Sequence, residues 1–290
     1  MITLENDYLR VNIDPLGAEL TSLYDKRDGV EHMWSADEKF WPRRAPILFP
    51  CVGESRDGKV QIEGVDYPMA RHGFTRMQPF DVLENNSETA VFELRENQET
   101  LRHYPFNFAF RITYKLTNDV LIQSFEVVNS DEKTIGFQIG GHPAFAVPFF
   151  KSEEYSDYEI RFDRSMTIDR HLLDDKGLYN GDTRNVLTDS DRIDLYYDLF
   201  KEDALVFKDI PSKRVWIQQK EGGKRLIVDY KGFPHLGIWS KPGADYVCIE
   251  PWIGCADNAD QPADFFIKDS IVKLASGERF MCSFAVSVEG

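Results

Sequence analysis

The sequence predicts an all-β protein, a sandwich of large antiparallel sheets, and three observations carry that prediction. Apolar and polar residues alternate with period two from end to end. Asn, Asp, Ser and Gly residues separate the alternating runs at hairpin spacing. Helical spacing is scarce, so no layer of crossover helices is available to cover a parallel sheet.

Along the chain, residues 8–13 alternate, Pro15, Leu16 and Gly17 break the run, and residues 19–24 resume it. Residues 59–62 read as a strand, and residues 80–84 are expected to meet 89–94 across Asn85, Asn86 and Ser87. Residues 97–102 can make one helical turn that ends before Pro105. Residues 108–116 then meet 120–128 across Thr117, Asn118 and Asp119, and residues 135–139 form a β-like run. Asp191 as a cap, with Ile193, Tyr196, Tyr197 and Phe200 behind it, predicts a short helix over 191–200. Two more hairpins follow, 215–219 with 225–228 across Gly222 and Gly223, and 271–274 with 280–288 across Ser276 and Gly277. No linker or compositional break divides the chain, so residues 1–290 are read as one domain.

Composition narrows the partners. A net charge of −15 argues against nucleic acid and against an anionic membrane surface, both of which need clustered Lys and Arg. No apolar run is long enough to span a bilayer, and the first residues lack the basic and apolar regions of a signal peptide. A cytoplasmic protein is expected, in which Cys51, Cys248, Cys255 and Cys282 are reduced and structural.

Chemistry is carried by three framed residues. His142 stands between Gly140-Gly141 and Pro143 at a strand end, where Gly permits close backbone approach to a ligand and Pro fixes the exit of the turn. His72 precedes Gly73 and Phe74, and Glu250 lies in the apolar run of residues 246–252, where an unpaired carboxylate is costly to bury. The remaining His residues lack such framing, and Arg43-Arg44 precede a rigid apolar segment that could hold a guanidinium over a pocket. No metal-ligand spacing, phosphate loop, dinucleotide fingerprint or nucleophile elbow occurs. Metal-free, cofactor-free acid/base catalysis on a small polar substrate is what remains for an enzyme.

Four segments in order resemble the aldose 1-epimerase (mutarotase) family, in its branch of LacX-type and hexose-6-phosphate-mutarotase-like proteins. Pro46 to Gly53 is similar to the branch's P-I-x-[FW]-P-x-x-G segment, and Arg71-His72-Gly73-Phe74-Thr75-Arg76 to its HGFxR motif. Gly141-His142-Pro143-Ala144-Phe145 resembles G-H-P-x-F, and Glu250-Pro251-Trp252 falls where the family places its late catalytic Glu. The resemblance implies a galactose mutarotase-like β-supersandwich and interconversion of the α and β anomers of a hexose. It implies Glu250 as base, His142 as acid and His72 as the group that orients the ring oxygen. Trp252 and Phe145 would offer apolar faces to the sugar, Asp203 a hydroxyl contact, and Arg43, Arg44 and Arg76 further contacts. Many galactose mutarotases continue the second His motif with Tyr-Phe-Asn where Ala144, Phe145 and Ala146 stand here, so the contact from that Asn is missing or replaced.

Two readings compete. A mutarotase for hexose 6-phosphates is motivated by Arg43, Arg44 and Arg76, because guanidinium matches phosphate geometry. A non-catalytic carbohydrate-binding sandwich shares the fold but has no use for an apposed carboxylate and imidazole. A glycosidase would need two carboxylates flanking the bond, and only Glu250 is so framed.

Overall fold

In the computed structural model, which describes residues 1–260 and 264–290, strands pair antiparallel with their sequence neighbours through most of the chain. The first four strands, Ile2–Glu5 to Val30–Glu31, form a sheet of their own. A fifteen-stranded sheet runs from Ile47–Leu48 at one edge to Asp81–Asn85 at the other, and two small two-stranded sheets complete the described residues. Helix is confined to six 3-10 turns of three or four residues. Among the described residues, no helix is long and apolar enough to cross a membrane.

Most expected hairpins form. Phe108–Thr117 pairs with Val120–Asn129 along ten residues, and Arg214–Gln219 pairs with Arg225–Asp229. The hairpin expected between residues 271–274 and 280–288 does not. Val272–Leu274 pairs instead with Ile135–Phe137, while Arg279–Glu289 lies between Val120–Asn129 and Arg225–Asp229. Asn129 makes this corner: its side-chain amide donates to the carbonyl of Leu274, and its own carbonyl accepts the N–H of Gly277. The chain therefore changes sheet at the turn.

The helix expected over 191–200 is also corrected. Tyr179–Asp194 is one sixteen-residue strand, and only Tyr197–Phe200 makes a 3-10 turn. Asp191 caps nothing, because both its carboxylate oxygens accept from Nη1 of Arg161 on the facing strand. The turn expected near 97–102 is present at Thr100–Arg102, with the Asn97 side chain accepting the N–H groups of Glu99 and Thr100.

One large core fills the space between sheets, with Phe49 stacked on Phe110 at 4.6 Å and edge-on to Tyr104. Two smaller apolar clusters stand apart from it, one around Val52, Tyr179 and Trp252, the other around Trp34, Tyr246 and Cys248. All four cysteines are free.

Candidate active site

Strand register explains why His142 meets Glu250. On one side of Pro143, Ile139 pairs with Ile253 and Gly140 with Trp252; on the other, Ala144 pairs with Cys248. Both ladders keep one register, and the Ile249 N–H donates to the Pro143 carbonyl between them at 3.1 Å. His142 consequently falls across from Glu250, where directly opposed side chains lie about 5 Å apart at Cβ. Their tips approach to 3.2 Å, His142 Nε2 to Glu250 Oε2, and both residues are buried.

The glycines beside His142 act differently from the expectation of close ligand approach. A Cβ on Gly140 would stand 2.7 Å from the Trp252 indole, and one on Gly237 in the next strand would meet the same ring at 2.7 Å. The two glycines open a trough in which Trp252 lies. Gly141 makes room for the ring of Phe284 in the core.

His72 enters from a tight loop. It takes φ +67° and Gly73 takes +74°, and a Cβ on Gly73 would fall 2.1 Å from the Phe49 carbonyl, so only Gly fits. A non-Gly residue in the left-handed region carries strain of the kind found at functional sites. The loop is held by His72 N–H donating to the Gly53 carbonyl at 2.9 Å and by Gly53 N–H donating to His72 Nδ1 at 3.1 Å. Because Nδ1 accepts, the neutral ring carries its proton on Nε2 as a free donor. The His72 and His142 rings meet edge to face at 5.5 Å, and Trp41 stacks on His142 at 5.0 Å.

These residues line one cavity of about 420 Å³, within the range of small-molecule sites. Burial sets its electrostatics. It pushes the Glu250 carboxyl well above the ordinary carboxylate range, with the nearby Asp203 charge adding to the effect. It pushes His142 down to about 3 and His72 well below the usual imidazole value, the latter helped by repulsion from His142. Glu250 Oε2, His142 Nδ1 and Trp252 Nε1 are buried and have no partner in full hydrogen-bond geometry, although the Trp252 indole N–H stands close enough to the Glu250 carboxyl to favour its charged form. Buried polar atoms left open in a cavity are groups prepared for a ligand.

Cys248 joins His142 and Glu250 in the one group of potential metal ligands among the described residues, with ligand atoms within 4.8 Å of one another. A metal-bound His needs an outer partner on its second ring nitrogen, and His142 Nδ1 has none. The set fits proton transfer better than coordination.

Of the residues singled out in the sequence, His72, His142, Glu250, Arg76, Asp203 and Trp252 line this cavity. Phe145 does not. Strand alternation turns Ala144 toward the Trp34 and Cys248 cluster, so Phe145 points the opposite way and is fully buried in the main core. Arg43 and Arg44 also lie off the cavity wall. Arg43 faces Glu19 at 3.8 Å, and the Arg44 guanidinium donates to the Ser35 carbonyl. The sequence reasoning gave no role to Arg71, Trp41, Trp239, Lys201 and Lys241, all in the wall. Arg71 was legible in principle as the neighbour of His72, whereas the lysines sit in loops without a motif.

The aldose 1-epimerase family model matches residues 1–261. Protein LacX (chromosomal) of Lactococcus lactis subsp. lactis is 32% identical over 296 aligned positions that cover 99% of both chains. Among solved structures, a galactose mutarotase related enzyme from Lactobacillus acidophilus superposes with TM-score 0.94 at 34% identity, covering 99% of this chain and 97% of its own. A galactose mutarotase-like protein from Lactobacillus casei gives TM-score 0.93 at 31% identity over the whole of both chains. The fold extends to a putative aldose 1-epimerase from Escherichia coli K12 at TM-score 0.76 and 17% identity, covering 99% of this chain and 98% of its own.

Proposed function

This chain belongs to the aldose 1-epimerase family, and from that premise we propose that it interconverts the anomers of a hexose by acid/base ring opening and closure at His142 and Glu250. The observation that carries the reading is the opposed, buried His142–Glu250 pair with open polar atoms in the cavity.

Anomer conversion removes the proton from the C1 hydroxyl and delivers one to the ring oxygen. The O1 lone pair closes the C1=O1 double bond as the C1–O5 bond breaks, C1 turns about its bond to C2, and reclosure reverses both transfers. Both oxygens sit on C1, so acid and base must be neighbours. Burial disfavours charge on either group, which favours a carboxylic acid beside a neutral imidazole. Carboxylate plus imidazolium holds the same single proton, and one transfer across the 3.2 Å gap converts the two arrangements. Glu250 is assigned as the base toward O1 and His142 as the acid toward O5. His72 Nε2–H donates to the ring oxygen, and the Trp41 and Trp252 rings offer apolar faces to sugar C–H groups. General acid/base catalysis of this kind contributes on the order of 10² to 10⁴-fold.

A second reading, a mutarotase for phosphorylated hexoses, is favoured by the cation content of the cavity. Arg71, Arg76, Lys201 and Lys241 line it, and only Arg71 has an ion-pair partner among the described residues. Anomer conversion followed by polarimetry, with free and 6-phosphorylated hexoses, tests both readings. Rates no faster than the spontaneous background with every sugar would leave a non-catalytic carbohydrate-binding protein.

A further inference from the structure

We propose that Arg71 is the residue by which the cavity selects a sugar bearing an anionic substituent, and that Glu54 and the turn at Gly177 hold its guanidinium in place for that contact. The inference rests on the reading of the cavity as a sugar site.

Arg71 is positioned by one ion pair and one close backbone approach, with its side chain 43% exposed. Its Nε donates to Glu54 Oε2 at 3.2 Å, and its Nη2 lies where a Cβ of Gly177 would stand, 1.8 Å away. Gly177 belongs to the tip of the hairpin formed by the sixteen-residue strands Tyr158–Leu173 and Tyr179–Asp194. This tip is built, not loose: Asp174 Oδ1 accepts the N–H groups of Lys176 and Leu178, and the Asp174 carbonyl accepts the N–H of Gly177. The Tyr179 N–H ties it to the Asp257 carbonyl at 2.9 Å. At φ +81° and with Arg71 against it, residue 177 has two reasons to be Gly.

Glu54 is fixed from below. Its carbonyl accepts the Asp257 N–H at 2.9 Å, Asp257 Oδ2 accepts the Arg56 N–H, and the Asp257 carboxylate pairs with Lys268 Nζ. Asp257 and Lys268 are both buried, so this clasp belongs to the rigid wall.

A guanidinium has five donors in a planar fork. Glu54 takes the Nε hydrogen, which leaves the Nη hydrogens for a ligand. Arg76, Lys201 and Lys241 add charge of the same sign in a protein whose net charge is −15. Glu54 and Asp203 in the same wall offset two of these four charges, and a neutral hexose offers nothing to balance the rest. A phosphoryl or carboxylate group on the sugar does, and planar two-point recognition of either is what a fixed guanidinium supplies.

The test compares hexose, hexose 6-phosphate and hexuronate with wild type, Arg71→Ala and Arg71→Lys. Wild type is expected to bind and turn over at least one anionic sugar better than the neutral one, and the better anion identifies the group. Arg71→Ala should lower the anionic-to-neutral ratio of kcat/KM by on the order of 10- to 100-fold, the loss of a charged hydrogen-bonding contact. Arg71→Lys, which keeps the charge and loses the fork, should fall between. Gly177→Ala should reduce the ratio mainly through KM; because it strains the turn, its folding is checked by thermal melting, and Arg71→Lys carries the test if it fails. Calorimetric titration with the same sugars reads binding without turnover, so Arg71 is judged even if no anomer conversion occurs. An equal loss on neutral and anionic sugars, an unchanged ratio in Arg71→Ala, or a wild type indifferent to the anion would overturn the proposal.

Discussion

Glu250→Gln separates a catalytic carboxylate from a structural one because the two roles predict effects on stability of different size. Glu250 is 1% exposed, and burial raises its carboxyl well above the ordinary carboxylate range, which favours the neutral acid. Gln replaces that acid with a neutral group of the same shape, so the folded state loses no buried charge. Stability should change by less than about 1 kcal/mol, whereas breaking a buried ion pair costs about 3–5 kcal/mol. Anomer conversion should nevertheless slow by about 10² or more, since no proton acceptor then faces C1–OH. Binding should survive, because Gln retains a carbonyl acceptor. The assay pairs thermal or urea unfolding with polarimetric conversion and calorimetric sugar binding on one preparation. Ordinary conversion above background would falsify the assignment. A fall of several kcal/mol in stability with activity retained would make Glu250 the partner of a charged His142.

Three further outcomes follow from the geometry. Gly237→Ala puts a methyl 2.7 Å from the Trp252 indole, so it should cost about 1–3 kcal/mol and impair sugar binding, read by unfolding and titration; unaltered binding would show that the trough is not needed. His32 is buried edge-on to Phe149 with both ring nitrogens unpartnered, and Arg27 and Lys224 face it with Asp25 and Asp28. Its folded value lies at about 4, below the unfolded 6.5, so the unfolded chain takes the proton first and stability drops as pH falls through that window. Between about pH 7 and about pH 5 this amounts to about 2 kcal/mol, and His32→Leu should remove that slope in urea unfolding; an identical slope in the variant would refute the account. Arg43→Ala, off the cavity wall and against Glu19, should leave the kcat/KM values for neutral and phosphorylated hexoses within about twofold, a surface-pair effect. A selective loss on the phosphorylated sugar would return Arg43 to the site.

Local chemistry made much of this fold legible, and long-range partners account for what was missed. Asn85-Asn86-Ser87 and Thr117-Asn118-Asp119 announce hairpins because the turn itself sets the pairing. Ser276-Gly277 looks the same, yet its strands go to different sheets, because Asn129, far away in sequence, ties both Leu274 and Gly277. Ile193 and Phe200 suggest a helix face, but Ile193 pairs with Ile160 and Asp191 is claimed by Arg161. At the site, framing by Gly and Pro marked His142 for the wrong reason, since Gly140 accommodates Trp252. Phe145 was misplaced by strand parity, where a shift of one residue reverses the face. Arg71 stands beside His72 in the sequence, but its placement depends on Gly177, more than a hundred residues later.

The continuous register across Pro143 has a consequence for how such sites diversify. His142 and Glu250 stand opposite each other between two ladders of one register, so their backbone separation follows the spacing between strands. The other groups of the cavity wall hang from a hairpin tip, a tight loop and the segments bearing Lys201 and Lys241. Those parts can be exchanged without retuning the proton-transfer distance. Transplanting the 174–178 tip together with residue 71 between relatives should therefore move substrate preference while the reactive spacing travels unchanged with the host.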